Sequence, residues 1–325
     1  ARFEYDINAA VTVSNQTRWS NAHRQSEYQL PPQMGAAFNY YDRENDTLTN
    51  QTNLSAEFYT GAFKHNLSAG LEFSREKSDA FRNHANPANR ETARVEVETV
   101  AAYLYDTVEL NDQWQINGGL RAERYSVDLE SRNVLTGLPA GVGVFEDSRT
   151  SVGGKIGVVY KPRPEGSIYA SYGISHLPHG SLLSNPDISR TGDNAFPGFV
   201  ANAKPVEAHN YEVGVKWDFF NGDLSVTGAL FRTEKKNVAY PFDPGGGADP
   251  YPVYGEQVVQ GIEIGVAGSI TSAWNVFGGL TLLNSERRHG ADVEAALRQT
   301  GSGDHRNNPT ATAPTHPDFP DHPNY

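Results

Sequence analysis

The chain has 325 residues, no cysteine, one methionine and a formal net charge of −12. Without cysteine it holds neither a disulfide framework nor a thiolate metal site, and an acidic chain without clustered Lys and Arg is ill suited to nucleic acid. Hydrophobic residues make up 38%, yet no apolar run approaches the roughly 20 residues of a membrane-spanning helix.

Period-2 alternation marks about eleven strands in chain order, near 2–19, 47–60, 63–76, 94–109, 113–128, 148–161, 166–177, 207–219, 223–236, 257–270 and 273–286. In the first, Phe3, Tyr5, Ile7, Val11 and Val13 oppose Arg2, Glu4, Asp6, Asn8, Thr12 and Ser14. In the fifth, Trp114, Ile116 and Leu120 oppose Gln115, Asn117, Arg121 and Glu123. The pattern is clearest over 209–219, where Tyr211, Val213, Val215, Trp217 and Phe219 share one face and Asn210, Glu212, Lys216 and Asp218 the other. Ile262 and Ile264 flank Glu263 in the same way.

Short turns at 60–62, 110–112, 162–166, 219–223 and 271–272 alternate with long connections near 20–46, 77–93, 129–147, 178–206 and 237–256. Asn221-Gly222 is a hairpin signal, because both residues tolerate positive φ. After Glu286 the alternation stops; 287–325 is rich in Pro, Asp, His and Asn, with one short helix expected at 291–298. It is expected to be a long outer loop or a truncated end, and residues 1–286 one partial barrel. A chain that starts at Ala1 and ends in loop-like sequence is expected to be an internal piece of a longer precursor.

Strands of one apolar and one polar face, joined by short turns at one end and long loops at the other, predict an all-β fold. It is an antiparallel up-and-down transmembrane β-barrel with a wet lumen. A soluble β-sandwich shares the alternation but has no reason to keep its long loops at one end. Val213, Val215, Trp217, Ile262 and Ile264 are therefore expected to face lipid, and Glu212, Lys216 and Glu263 the lumen.

Several hairpins carry more specific wording. Lys204-Pro205-Val206-Glu207 followed by Asn210-Tyr211-Glu212-Val213-Gly214-Val215-Lys216-Trp217, then Ala229-Leu230-Phe231-Arg232 and Gln260-Gly261-Ile262-Glu263-Ile264, resembles TonB-dependent siderophore receptors. Val100-Ala101-Ala102-Tyr103 with Asp106-Thr107, Gly119-Leu120-Arg121, Val159-Tyr160-Lys161-Pro162, Ile168-Tyr169-Ala170-Ser171-Tyr172 and Trp274-Asn275-Val276-Phe277 continue the likeness in family order over 48–284. The resemblance implies a 22-stranded barrel filled by a plug, of which this chain supplies about eleven middle strands and no plug. It also implies uptake of a ferric siderophore across the outer membrane of a Gram-negative bacterium, energised by the TonB complex through that absent plug segment. Tyr105, where the family usually has Gln beside Asp106, is similar to catecholate-type members.

Catalytic motifs are missing: there is no Gly-x-Ser-x-Gly elbow, Walker loop or His-Glu-x-x-His. Gly245-Gly246-Gly247 lacks the helix and Lys that phosphate cradling requires. No enzyme activity and no resident cofactor are expected, iron being carried as cargo. His176 and His179, and His305, His316 and His322, are read as loop histidines and not as a metal site, which needs orienting partners. Carboxylates such as Glu96 and Glu98 are expected to line the lumen. For an anionic complex with flat aromatic donors, Arg and aromatic side chains supply charge-assisted hydrogen bonds, stacking and cation–π contacts. The candidates are Tyr40, Tyr41, Phe81, Arg82, His84, Arg90, His179, Phe196, Tyr240, Tyr251 and Tyr254. Tyr103, Tyr160, Tyr172, Trp217 and Trp274 are expected as interfacial girdles against outer-membrane lipid. A passive porin and a soluble β-rich binding protein are the competing readings.

Overall fold

The structure is a computed structural model that describes residues 1–29, 38–84, 86–177, 204–242 and 251–289. Twelve strands form one antiparallel sheet in chain order. They are β1 (Arg2–Asn8), β2 (Val11–Gln29), β3 (Phe38–Thr60), β4 (Phe63–His84), β5 (Glu91–Glu109), β6 (Trp114–Asn133), β7 (Pro139–Arg163), β8 (Gly166–Leu177), β9 (Val206–Phe219), β10 (Leu224–Phe242), β11 (Tyr251–Thr271) and β12 (Trp274–His289). Turns at 9–10, 61–62, 110–113, 164–165, 220–223 and 272–273 all lie at one end of the sheet. The helix expected at 291–298 lies outside the described residues.

The expected first strand is in fact a hairpin, which raises the count from eleven to twelve. It turns at Ala9-Ala10, closed by Asn8, whose side-chain oxygen accepts from Ala10 N at 2.8 Å. The long connections are also shorter than expected. What reads as a loop at 20–46 is strand up to Gln29 and again from Phe38, and 129–147 leaves only 134–138 between strands. The Asn-Gly turn forms as expected, with Asn221 at φ 59° and Gly222 at φ 97°.

Directly opposed residues on antiparallel strands share a face. The row Val13, Leu54, Ala69, Leu104, Leu120, Gly154, Ile174 is apolar throughout. One residue along, Asn53, Gly70, Tyr103, Arg121 and Gly153 form the opposite face. Val213, Val215, Trp217, Ile262 and Ile264 fall on the apolar face, and Glu212, Lys216 and Glu263 on the polar one. The apolar side chains stand clear of the protein, Leu71 at 64% and Leu120 at 65% exposure. A fold that leaves such a band uncovered in water would lose about 25 cal/mol per Å² of it; a barrel turns it to lipid instead. Polar groups interrupt the belt: His65 and Asp106 meet at 2.6 Å between apolar neighbours, and a second group closes on itself. Asn15, Thr17, Asn50 and Thr52 lie between Val13/Leu54 and Trp19/Leu48, and each Asn amide donates to the other Asn and to a Thr at 2.7–3.1 Å. That closed network leaves no amide proton to be stranded in lipid.

The hydrogen-bonded rows climb across the sheet. The row that starts at Val11, the first residue of β2, passes through Ala56, Leu67, Asp106, Gly118, Ile156, Tyr172, Tyr211, Arg232 and Gln260 to Asn284 of β12.

Above the belt the two faces exchange character. The outward row Asn21, Asp46, Lys77, Glu96, Asp128 is polar, while Ala93, Val95, Val97, Val127, Leu129 and Phe145 form a buried cluster on the inner face. Glu96 and Glu98 are thus not in the lumen. They share the face of Val100 and Leu104, and Arg75 pairs with both of them there, Lys77 reaching Glu96 at 3.5 Å. Solvated charge suits an outer face that has cleared the hydrocarbon.

Candidate ligand-binding wall

Aromatic rings cover glycines on the inner face at belt level. Tyr103 lies over Gly70, Tyr105 over Gly119 and Tyr169 over Gly214, each ring directly opposite its glycine; a Cβ on Gly70 would meet the Tyr103 hydroxyl at 2.5 Å. The bare backbone gives each ring a flat seat, as in cross-strand pairs where an aromatic covers an exposed glycine. The hydroxyls then find polar partners. Tyr103 donates to Asn53 and accepts from Gln51 at 2.8 Å, and Tyr169 donates to Glu212 at 2.5 Å.

A charge network joins these rings. Arg121 donates to Glu72 at 2.8 Å and to Glu123 at 2.9 Å, and Ser151 donates to Glu123 at 3.2 Å. Lys155 stands 5.3 Å from the centre of the Tyr105 ring, a cation–π contact. Because Gly153 and Gly173 lack side chains, a niche of about 340 Å³ opens beside Tyr105, Arg121, Glu123, Lys155, Ser175 and Asn210. Its guanidinium, ammonium and phenol can donate to an anion or to carbonyl oxygens. The sequence pattern placed Arg121 and Glu123 on a polar face; the niche itself depends on glycines of two further strands.

Of the candidate residues, Tyr41 and Arg82 are directly opposed on the upper inner wall, where Arg82 lies 3.7 Å from Glu91. Their chain neighbours Tyr40 and Phe81 point the other way, to the outer face, where Tyr40 donates to Asp42 at 3.0 Å. Adjacent strand residues alternate in this manner; a loop reading hides it. His84 ends β4 opposite Asn39, and Arg90 follows the 3₁₀ turn Pro87–Asn89. The backbones of Tyr240, Tyr251 and Tyr254 lie on the paired upper ends of β10 and β11. His179 and Phe196 lie outside the described residues.

Four of the five expected girdle residues share the apolar face. Tyr160 stacks on Trp114 at 4.5 Å, Tyr172 meets Tyr211 at 4.9 Å, Trp217 covers Gly166, and Trp274 is in register with the apolar residues of β12. Tyr103 does not; it belongs to the lumenal wall, held by Gly70 and its two amide partners. His176, weighed for metal, faces Glu207 at 3.8 Å on the outer side.

The family model for the β-barrel of TonB dependent receptor-like proteins matches residues 1–317. The chain is 31% identical over 349 residues to the catecholate siderophore receptor Fiu of Escherichia coli K12, covering 90% of this chain and 44% of that protein. It is 28% identical over 331 residues to the probable TonB-dependent siderophore receptor PiuA of Acinetobacter baumannii, covering 88% and 43%. Among solved structures, the closed form of Fiu superposes with a TM-score of 0.68 at 28% identity, over 89% of this chain and 47% of that one. PiuA superposes at 0.72 and 26%, over 88% and 46%. The chain therefore spans less than half the length of the relatives it matches.

Proposed function

This chain belongs to the TonB-dependent receptor β-barrel family, and we propose that the protein it forms part of imports a ferric siderophore across the outer membrane. The barrel is an outer-membrane one, and the relatives it matches are named as siderophore receptors. The observation that carries the reading is the inner face. Arg121, Lys155 and Tyr105 surround an open niche at belt level, with Tyr41 and Arg82 above it. Side chains of this kind suit an anionic complex with aromatic donor groups through charge-assisted hydrogen bonds and cation–π contacts. The names of the relatives support a catecholate-type cargo, with iron as its passenger and not as a resident cofactor.

Binding alone does not accumulate a ligand, since a site of equal affinity in both states shifts nothing. Energy is assigned to TonB, acting through a plug segment that these residues do not include. The test is uptake of radioactive iron, supplied as a ferric catecholate, in cells with and without TonB. Uptake that depends on TonB, and that falls when Arg82 and Tyr41 are both replaced by Ala, is the expected result. Equal uptake in both strains would leave the passive porin standing.

A further inference from the structure

His65 and Asp106 form a polar pair on the lipid-facing side of the sheet, where transport has no use for them. His65 shares its face with Leu67 and Leu71 on β4, and Asp106 shares its own with Leu104 and Val108 on β5. Phe58, His65, Asp106 and Tyr160 each stand two or three residues from the short-turn ends of their strands. Tyr160 stacks on Trp114 there, so the pair is level with rings that suit a membrane–water interface. The short turns mark that interface as the periplasmic one.

The imidazole is held from two sides. Phe58 stacks parallel to it at 4.7 Å, and Nδ1 donates to Asp106 Oδ2 at 2.6 Å. A carboxylate only accepts, so the proton sits on Nδ1 and the neutral ring presents Nε2 as an acceptor. Among the described residues Nε2 has no protein partner, and it is not buried. Asp106 Oδ1, by contrast, is buried without a hydrogen-bond partner, so the carboxylate is satisfied through one oxygen alone. Directly opposite Asp106 stands Gly118, where a Cβ would meet only the Lys155 carbonyl oxygen, at 3.4 Å. That bare backbone leaves a recess beside the carboxylate. The neighbouring outward rows of β3 to β7 at this level carry no Lys or Arg. Negative charge and a free acceptor, with no free donor, suit a cation that carries N–H groups.

We propose that His65 and Asp106 bind the ammonium head group of a phospholipid in the periplasmic leaflet, a phosphatidylethanolamine. The ammonium donates to His65 Nε2, and its charge offsets that of Asp106 from the recess over Gly118. Two observations favour this occupant. The face is continuous with the apolar belt, so the molecules that meet it are lipids, and its charge is complementary to a primary ammonium. Phosphatidylcholine has the positive charge but no N–H to donate, and phosphatidylglycerol has no cation. The assignment needs only the membrane placement of the belt and is independent of which cargo the lumen carries.

The test uses the full-length receptor, stripped of native lipid and titrated by native mass spectrometry. The probes are phosphatidylethanolamine, phosphatidylcholine and phosphatidylglycerol with the same acyl chains. The parent should bind the first roughly tenfold or more tightly than the other two, the worth of a charge-assisted hydrogen bond. His65→Phe with Asp106→Leu should bind all three alike. That double variant keeps a ring on Phe58 and leaves no charge unpaired, and such apolar replacement of an ion pair is commonly neutral for stability. Gly118→Leu, which fills the recess and spares the pair, should also lose the preference and carries the test if the double variant fails to fold. Equal binding of the ethanolamine and choline lipids by the parent, or a preference for phosphatidylglycerol, would overturn the proposal. So would an ethanolamine preference that survives in either variant. Iron uptake by both variants should stay at the parent's level, because the pair faces away from the lumen; loss of uptake in a folded variant would place the pair on the transport path instead.

Discussion

Tyr105 over Gly119 shows how one residue type decides the inner wall. The ring sits where a Cβ would have to be, so glycine there is a steric requirement and not a flexible joint. Gly119→Val should expel the ring and cost about 1–3 kcal/mol by overpacking. Denaturant unfolding of the full-length protein in vesicles would measure it. Tyr105→Ala in the same chain should restore part of the loss, because the two sites share one space; simple additivity would contradict the stacking. Asp42 offers a second residue-scale test. Hydrogen bonds from Gln25, then His23 and Tyr40, hold its carboxyl below the usual 3.8. Its folded-state pKa is thus depressed, so its contribution is complete above 3.8 and fades as pH falls through the lower folded value. Amide protection factors in β2 and β3 above the belt should drop on that acid side, and Asp42→Asn should flatten the drop.

At the scale of elements, the strands were legible only where their two faces differ. From Val100 to Leu104 the alternation is plain, and it already puts residue 103 with Ala101 and Tyr105; the chemistry of Tyr103 suits a girdle, but its parity puts it on the inner wall. Above Trp19 and Leu48, Asn21, His23 and Gln25 alternate with Ser20, Ala22 and Arg24, which make no continuous apolar face, so the ladder continues where periodicity gives no sign of it. The turn at Ala9-Ala10 escaped notice because it has neither Gly nor Pro, and Asn8 alone marks it. By contrast 220–222 announced itself, and its conformation is demanding: Phe220, Asn221 and Gly222 all have positive φ. Gly222→Ala is expected to cost roughly 1 kcal/mol in the same unfolding assay, since φ 97° suits only glycine, whereas Asn221→Gly should be close to neutral.

For the whole molecule, the separation of faces is the property that everything else depends on. Val215 and Glu212 lie three residues apart on β9 and on opposite sides of the sheet. Val215→Arg should cost about 2–4 kcal/mol if the position is near the bilayer midplane. In single-cysteine variants of the full-length receptor, a lipid-soluble reagent should label position 215 and spare 212; the reverse pattern would invert the barrel. The candidate site was only half legible for the same reason. Tyr40/Tyr41 and Phe81/Arg82 have the chemistry of ligand contacts, and the sheet splits each pair between two solvents.

The climb of the hydrogen-bonded rows has a geometric consequence of its own. Between Val11 at the start of β2 and Asn284, ten residues past the start of β12, the row rises ten residues in ten strand-to-strand steps. With turns level at one end, one residue of shear per strand at roughly 3.3 Å rise and 4.8 Å spacing inclines the strands by about 35° to the barrel axis. An apolar run of about nine residues at that slope spans roughly 24 Å, the height of the lipid-facing band of such barrels. The stagger from strand to strand, rather than the length of any one strand, is what fits this wall to the thickness of its membrane.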